Sequence, residues 1–166
     1  MLLDATDARI LEILQESGRI TNAELAHRVG LSPGATLARV SKLELAGVIS
    51  GYTAIMNREA LGLAVTAFVA VILKTHGRQE SADFLEAVKS LPQVLECHHI
   101  AGDEDYFLKV VASSPSDFET FVLDELTSIP AVQRVKTTFV LSSPKVSTVV
   151  PIRTQIKESA NERGAA

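Results

Sequence analysis

The apolar positions of the first fifty residues recur with the period of a helix. Over Asp4–Ser17, Ile10, Leu11, Ile13 and Leu14 form one stripe, Glu12 and Glu16 mark the opposite side, and Gly18 ends the run. Thr21-Asn22-Ala23-Glu24 has the spacing of a capping box and starts a short second helix, which sends Leu25 and Val29 inward and stops at Gly30. Ser32 then offers an N-cap oxygen, and Pro33 fits the first helical position, where its missing N–H costs nothing. Leu37, Val40 and Leu43 are the expected buried face of this third helix, and Gly47 its end. Val48–Asn57 reads as extended, a short strand or wing.

From Ala64 the period shifts towards two. Ala64–Lys74, Val94–Ala101, Tyr106–Ala112 and Val132–Ser142 read as strands, with a tight turn around Gly102-Asp103. Ser81–Leu91 reads as a helix with Phe84, Leu85, Val88 and Leu91 inward, and Ser116–Ile129 as another, opened by Ser116-Asp117-Phe118-Glu119. The order strand, helix, strand, strand, helix, strand is the split βαβ pattern of a ferredoxin-like domain. The fold class is therefore α+β: a helix-turn-helix over residues 1–50, a linking strand over 51–63, a βαββαβ domain over 64–145, and an extension over 146–166 whose end from Lys157 is expected to fray.

The first strand is apolar on both faces, Val65, Ala67, Val69 and Val71 alternating with Ala64, Phe68, Ala70 and Ile72. Two helices cover one face of a four-stranded sheet, so the other needs a cover. A second copy of the same sheet is the simplest one and predicts a homodimer. The chain's own linker or tail is the alternative.

Composition narrows the function. A net charge of −4, with 46% hydrophobic and 22% charged residues, excludes a protein that coats nucleic acid by bulk positive charge. Aromatics at 5%, with no Trp, argue against a platform for stacked single-stranded bases. One cysteine, Cys97, excludes an internal disulfide and fits a reducing compartment. The start lacks the pattern of a signal peptide, and the apolar run Leu61–Leu73 is about half of what a membrane helix needs. The expectation is a soluble, cytoplasmic protein that does not engage membranes.

Charge is nonetheless focused. Residues 19–42 hold Arg19, Arg28, Arg39 and Lys42 against Glu24, a local balance of +3. Three short helices with a glycine-containing turn before the last describe a helix-turn-helix, so double-stranded DNA is the expected partner and a plain helical bundle the bland alternative. Ser32, Gly34 and Thr36 are small residues at a helix start, suited to close approach to phosphate or base edges.

A second candidate is the turn Ala101-Gly102-Asp103-Glu104-Asp105. A free amino acid is a zwitterion, so Asp103 and Asp105 can accept from its ammonium and the N–H groups around Gly102 can donate to its carboxylate. An ordinary acidic hairpin turn uses the same residues. A third is Cys97-His98-His99, where strand alternation puts Cys97 and His99 on one face without His98. No second Cys/His cluster completes a zinc spacing, and strand-filling residues are the better reading. Nucleophile, phosphate-loop and dinucleotide motifs are absent, so no enzyme, catalytic residue, metal site or cofactor is expected. Two other classes remain open, an architectural DNA-wrapping protein and a metal-dependent enzyme on the second domain.

The segment GRITNAELAHRVGLSPGATLARVSKLELAGVISGYTAIMN (18–57) resembles the DNA-binding domain of the Lrp/AsnC family of bacterial transcriptional regulators. ECHHIAGDEDYFLKV (96–110) is similar to the signature loop of that family's effector domain. The likeness runs from about Asp4 to about Lys145, with the motifs in the expected order. It implies a sequence-specific DNA-binding regulator that dimerises by sheet pairing, assembles to tetramers or octamers, and is modulated by an amino acid bound between subunits.

By position, the resemblance puts Ser32, Pro33, Gly34, Ala35, Thr36, Arg39 and Lys42 on the recognition helix, and Thr21 and Asn22 beside backbone phosphates. It puts His99, Ala101, Gly102, Asp103 and Asp105 in the effector loop, and Pro115, Phe139 and Val140 at positions linked to effector response. Ala38 and Ser41 stand where many members carry Arg or Lys, which implies less salt-sensitive DNA binding. Ala101 replaces a common Ser or Thr and removes a hydroxyl from the loop. Arg39 is the cation expected at a phosphate, so Arg39→Ala should weaken binding and flatten its salt dependence.

Overall fold

The computed structural model describes residues 2–75 and 77–153. They form two compact units, one from residues 2–55 together with 145–153 and one from the described residues between 56 and 144. The segment 145–153 returns to the first unit.

The first unit is built on three helices, α1 (Ala5–Glu16), α2 (Asn22–Val29) and α3 (Pro33–Leu45). Each begins where a side chain satisfies the open N–H groups of the first turn. Asp4 and Asp7 cap α1 reciprocally, Thr21 Oγ1 accepts from Glu24 N at 3.2 Å, and Ser32 Oγ accepts from Ala35 N at 3.3 Å. Gly30 ends α2 at φ 71°, a left-handed conformation open to glycine at little cost, which turns the chain into α3. Ile10, Ile13, Leu25 and Leu43 form the core of this unit, and Ile152 from the C-terminal segment packs against it. Gln15 fastens that segment twice: its Nε2 donates to Val150 O at 3.2 Å and its Oε1 accepts from Val150 N at 2.7 Å.

Two expectations for this unit change. Leu37 is 56% exposed rather than buried, because the inward arc of α3 runs through Thr36, Val40 and Leu43. Residues 48–57 have no strand partner among the described residues, so the wing is an extended segment; Tyr52 Oη donates to Glu44 Oε1 at 3.0 Å and holds it to the end of α3.

The second unit is an antiparallel sheet in the order β2-β3-β1-β4, with β1 Val65–Leu73, β2 Val94–His99, β3 Tyr106–Ala112 and β4 Val132–Phe139. Helix α4 (Arg78–Lys89) precedes β2, and α5 (Pro115–Thr120) follows β3 and continues as a π-helical stretch, Phe121–Leu126. The expected single helix 116–129 is thus rewound halfway, and its cap is Ser114 with Pro115 first in the helix, not Ser116. Val69, Val71, Leu73, Leu108 and Val110 meet Phe84, Phe118, Phe121 and Leu126 in a core on one face of the sheet. The register places Phe68, Ala70, Ile72 and Phe107 on the opposite face, where Phe68 and Phe107 stack at 5.3 Å.

Candidate functional site

In the first unit, Ser32, Pro33, Gly34, Ala35 and Lys42 are exposed along α3. Asn22 is half-buried, and its Nδ2 donates to Pro33 O at 2.8 Å, tying the start of α2 to the start of α3. Thr21 is an exposed cap. Thr36 is fully buried, its hydroxyl donating to Ser32 O at 3.1 Å, so it packs α3 inward instead of presenting an oxygen to a ligand.

Arg39 has a task that local sequence does not reveal. Its Nη1 donates to Asp4 Oδ2 at 2.7 Å and to Asp7 Oδ1 at 2.6 Å. The Asp7 side chain is only 5% exposed, so the guanidinium neutralises a nearly buried carboxylate and clamps α3 to the start of α1. Hydrogen bonds from the Asp7 backbone and from Arg39 hold the Asp4 carboxyl below its usual value of 3.8, and the paired acids raise Arg39 in turn. Among residues 2–45, the cations left exposed with no ion pair to the described residues are Arg19, Arg28 and Lys42.

In the second unit the loop between β2 and β3 exposes Ala101, Gly102 and Asp103. Asp105 is turned to the fold: Leu73 N donates to its Oδ2 at 2.8 Å, its own N–H donates to Val71 O at 2.9 Å, and its carbonyl accepts from Ile100 N at 3.0 Å. These bonds splice the loop to the end of β1. His99 stacks on Tyr106 at 5.0 Å, and Tyr106 meets Phe84 at 4.8 Å, so this histidine closes an aromatic row at the sheet edge. Cys97 lies opposite Leu108, half-buried, and burial raises its thiol above the ordinary value.

Pro115, Phe139 and Val140 lie elsewhere. Phe139 pairs with Ala67, is 48% exposed and meets Phe118 edge-on at 5.0 Å, while Val140 N donates to Thr66 O at 2.9 Å. Val65 pairs with Ala112, just before Pro115, so this cluster sits at the far end of β3 from the 101–105 loop. Phe139 is level with Val110 and Val140 with Val111, so at ~3.4 Å per residue about 15 Å of β3 separates Tyr106, next to the loop, from this cluster within one protomer.

A capped helix-turn-helix carrying exposed cations, joined to a ferredoxin-like sheet with an exposed acidic loop, defines a DNA-binding regulator with a separate ligand-binding domain. Residues 3–50 match the model of the winged helix-turn-helix DNA-binding domain, and residues 66–150 that of the Lrp/AsnC ligand binding domain. The chain belongs to the Lrp/AsnC family of transcriptional regulators. It is 40% identical over 152 residues to the transcriptional regulator AzlB of Bacillus subtilis, covering 92% of this chain and 97% of that one. It is 43% identical over 150 residues to a leucine-responsive regulatory protein of Rhizobium meliloti, covering 90% and 96%. Among solved structures, a transcriptional regulator from Neisseria meningitidis in complex with L-Met superposes with a TM-score of 0.86 at 40% identity, covering 90% of this chain and 96% of that one. AsnC of Escherichia coli does so with a TM-score of 0.84 at 31% identity, covering 91% and 100%.

Proposed function

We propose that this regulator binds operator DNA as a homodimer, assembled further to tetramers or octamers, and that an amino acid bound between subunits alters the arrangement of its protomers. The carrying observation is the separation, about 15 Å along β3, between the 101–105 loop and the cluster of Pro115, Phe139 and Val140. A pocket for a single amino acid cannot span that distance inside one chain, so a site using both clusters needs two. The Neisseria meningitidis relative solved with L-Met supports an amino acid as the ligand class. Asp103 supplies the ammonium acceptor, and backbone N–H groups near Gly102 supply the carboxylate donors; the bonds of Asp105 to β1 assign it to shaping the loop. On the DNA side, paired recognition helices would enter successive major grooves ~34–36 Å apart, which favours a roughly palindromic operator. The setting is the cytoplasm, with no membrane partner.

The test is a thermal-shift screen of the full chain against the twenty amino acids. A ligand that binds only the native fold raises its melting point, and Asp103→Ala should abolish that rise while leaving the ligand-free melting point in place. If no amino acid moves the transition, or if Asp103→Ala responds like the parent, the effector assignment is wrong.

A further inference from the structure

Helix α3 carries a side chain that the packing of its own unit does not use. With 3.6 residues per turn, Thr36, Val40 and Leu43 point inward with Arg39 at the border, and Gly34, Leu37, Ala38, Ser41 and Leu45 fall on the outward arc. Gly34 and Ala38 are exposed, and Leu37 between them is 56% exposed. A leucine standing in solvent between two residues too small to shield it has no part in the core of Ile10, Ile13, Leu25 and Leu43. The arc is also free of negative charge, since the first acid on α3 is Glu44 at its far end, whereas α1 carries Asp7, Glu12 and Glu16. Exposed Lys42 lies on its flank.

An apolar projection on a surface without acids and beside a lysine suits one kind of partner: a polyanion whose groove floor displays methyl groups. The thymine C5-methyl is the apolar feature of the major groove, and small residues at Gly34 and Ala38 let the helix come close enough for Leu37 to reach it. We propose that Leu37 is a specificity-determining residue that reads a thymine methyl group in each operator half-site. This rests on the reading above that α3 is the helix entering the major groove.

The test uses the full chain and an operator duplex selected in vitro with it, each thymine replaced in turn by deoxyuridine, which removes the methyl and keeps the base pair. A buried methyl group is worth ~0.8 kcal/mol, about fourfold in affinity. At one thymine per half-site, replacement should weaken binding of the parent chain about fourfold. Leu37→Ala, which removes the contact in both half-sites of the dimer, should bind the thymine duplex about sixteenfold more weakly and be indifferent to that same replacement, and Leu37→Val should fall between. A parent chain insensitive at every thymine, or a Leu37→Ala variant as sensitive as the parent, overturns the assignment. So does a change in sedimentation of DNA-free Leu37→Ala, which would place the side chain between protein copies. Lys42→Ala in a salt titration tests the underlying placement separately: an unaltered slope removes α3 from the DNA whatever the methyl result.

Discussion

At the scale of single residues, Arg39 and Lys42 stand three positions apart on one helix and do different work. Arg39 bonds Asp4 and Asp7 at 2.7 and 2.6 Å and so acts as a clamp between α3 and α1. Truncating it leaves Asp7 nearly buried without its cation, so Arg39→Ala should cost about 2–3 kcal/mol of stability, read from urea unfolding. Its effect on the salt dependence of DNA binding should be small, because its charge is already neutralised. Exposed Lys42 gives the opposite pattern: Lys42→Ala should leave stability within about 0.5 kcal/mol and flatten the slope by about 1. If the two variants exchange these phenotypes, the roles assigned here are reversed.

The same clamp is sensitive to acid. The folded-state value of Asp4 lies below 3.8, so its stabilising effect is full above 3.8 and is lost as pH falls through the lowered value. Melting points of the parent and Asp4→Asn should therefore differ most near neutrality and converge well below pH 3.8. A constant gap down to the acid limit would show that the carboxylate charge at Asp4 contributes nothing.

At the scale of elements, the helix starts of the first unit were readable because capping is local: Thr21 with Glu24 and Ser32 with Pro33 are decided within a few residues. The succession of elements along the second unit and the Tyr106–Ala112 bounds were equally legible from periodicity. What escaped had causes that are distant in the chain or leave no periodic trace. The Arg39 clamp joins residues 32 and 35 positions apart. Leu37 and Thr36 lie side by side on α3, and apolarity alone favoured burying the wrong one. The shift from α to π winding at Phe121 changes the helix pitch but not the set of residues, Phe118, Phe121 and Leu126, that fill the core. In the effector loop, the sequence could nominate Asp103 and Asp105 together, but it is the bonds from Leu73 N and to Val71 O that separate them. The attachment of residues 145–153 was illegible for the same reason, as Gln15 and Val150 are 135 positions apart. Gln15→Ala removes both bonds and should make the 145–153 backbone exchange amide hydrogen faster, at a cost of about 1 kcal/mol in the first unit. Unchanged protection at Val150 would mean that Ile152 alone holds the segment.

For the whole molecule, the stacked pair Phe68 and Phe107 sits with Ala70 and Ile72 on the sheet face opposite α4 and α5. In the function proposed above, that face is the seat of the dimer. Phe107→Glu sets a charge there while leaving the inner core of Val69, Leu108 and Val110 untouched, and it should yield a folded monomer by sedimentation with greatly weakened operator binding. A dimer that survives this substitution would move the interface elsewhere.

The return of the C-terminal segment to the first unit has a topological consequence. Because residues 2–55 and 145–153 fold together, the effector domain is an insert within the DNA-binding unit, leaving it after Ile55 and rejoining it at Lys145. One crossing segment leads on into β1 and the other follows β4, and these two strands are paired, Ala67 with Phe139. Two covalent crossings therefore join the units, and a cut in either one leaves the other in place.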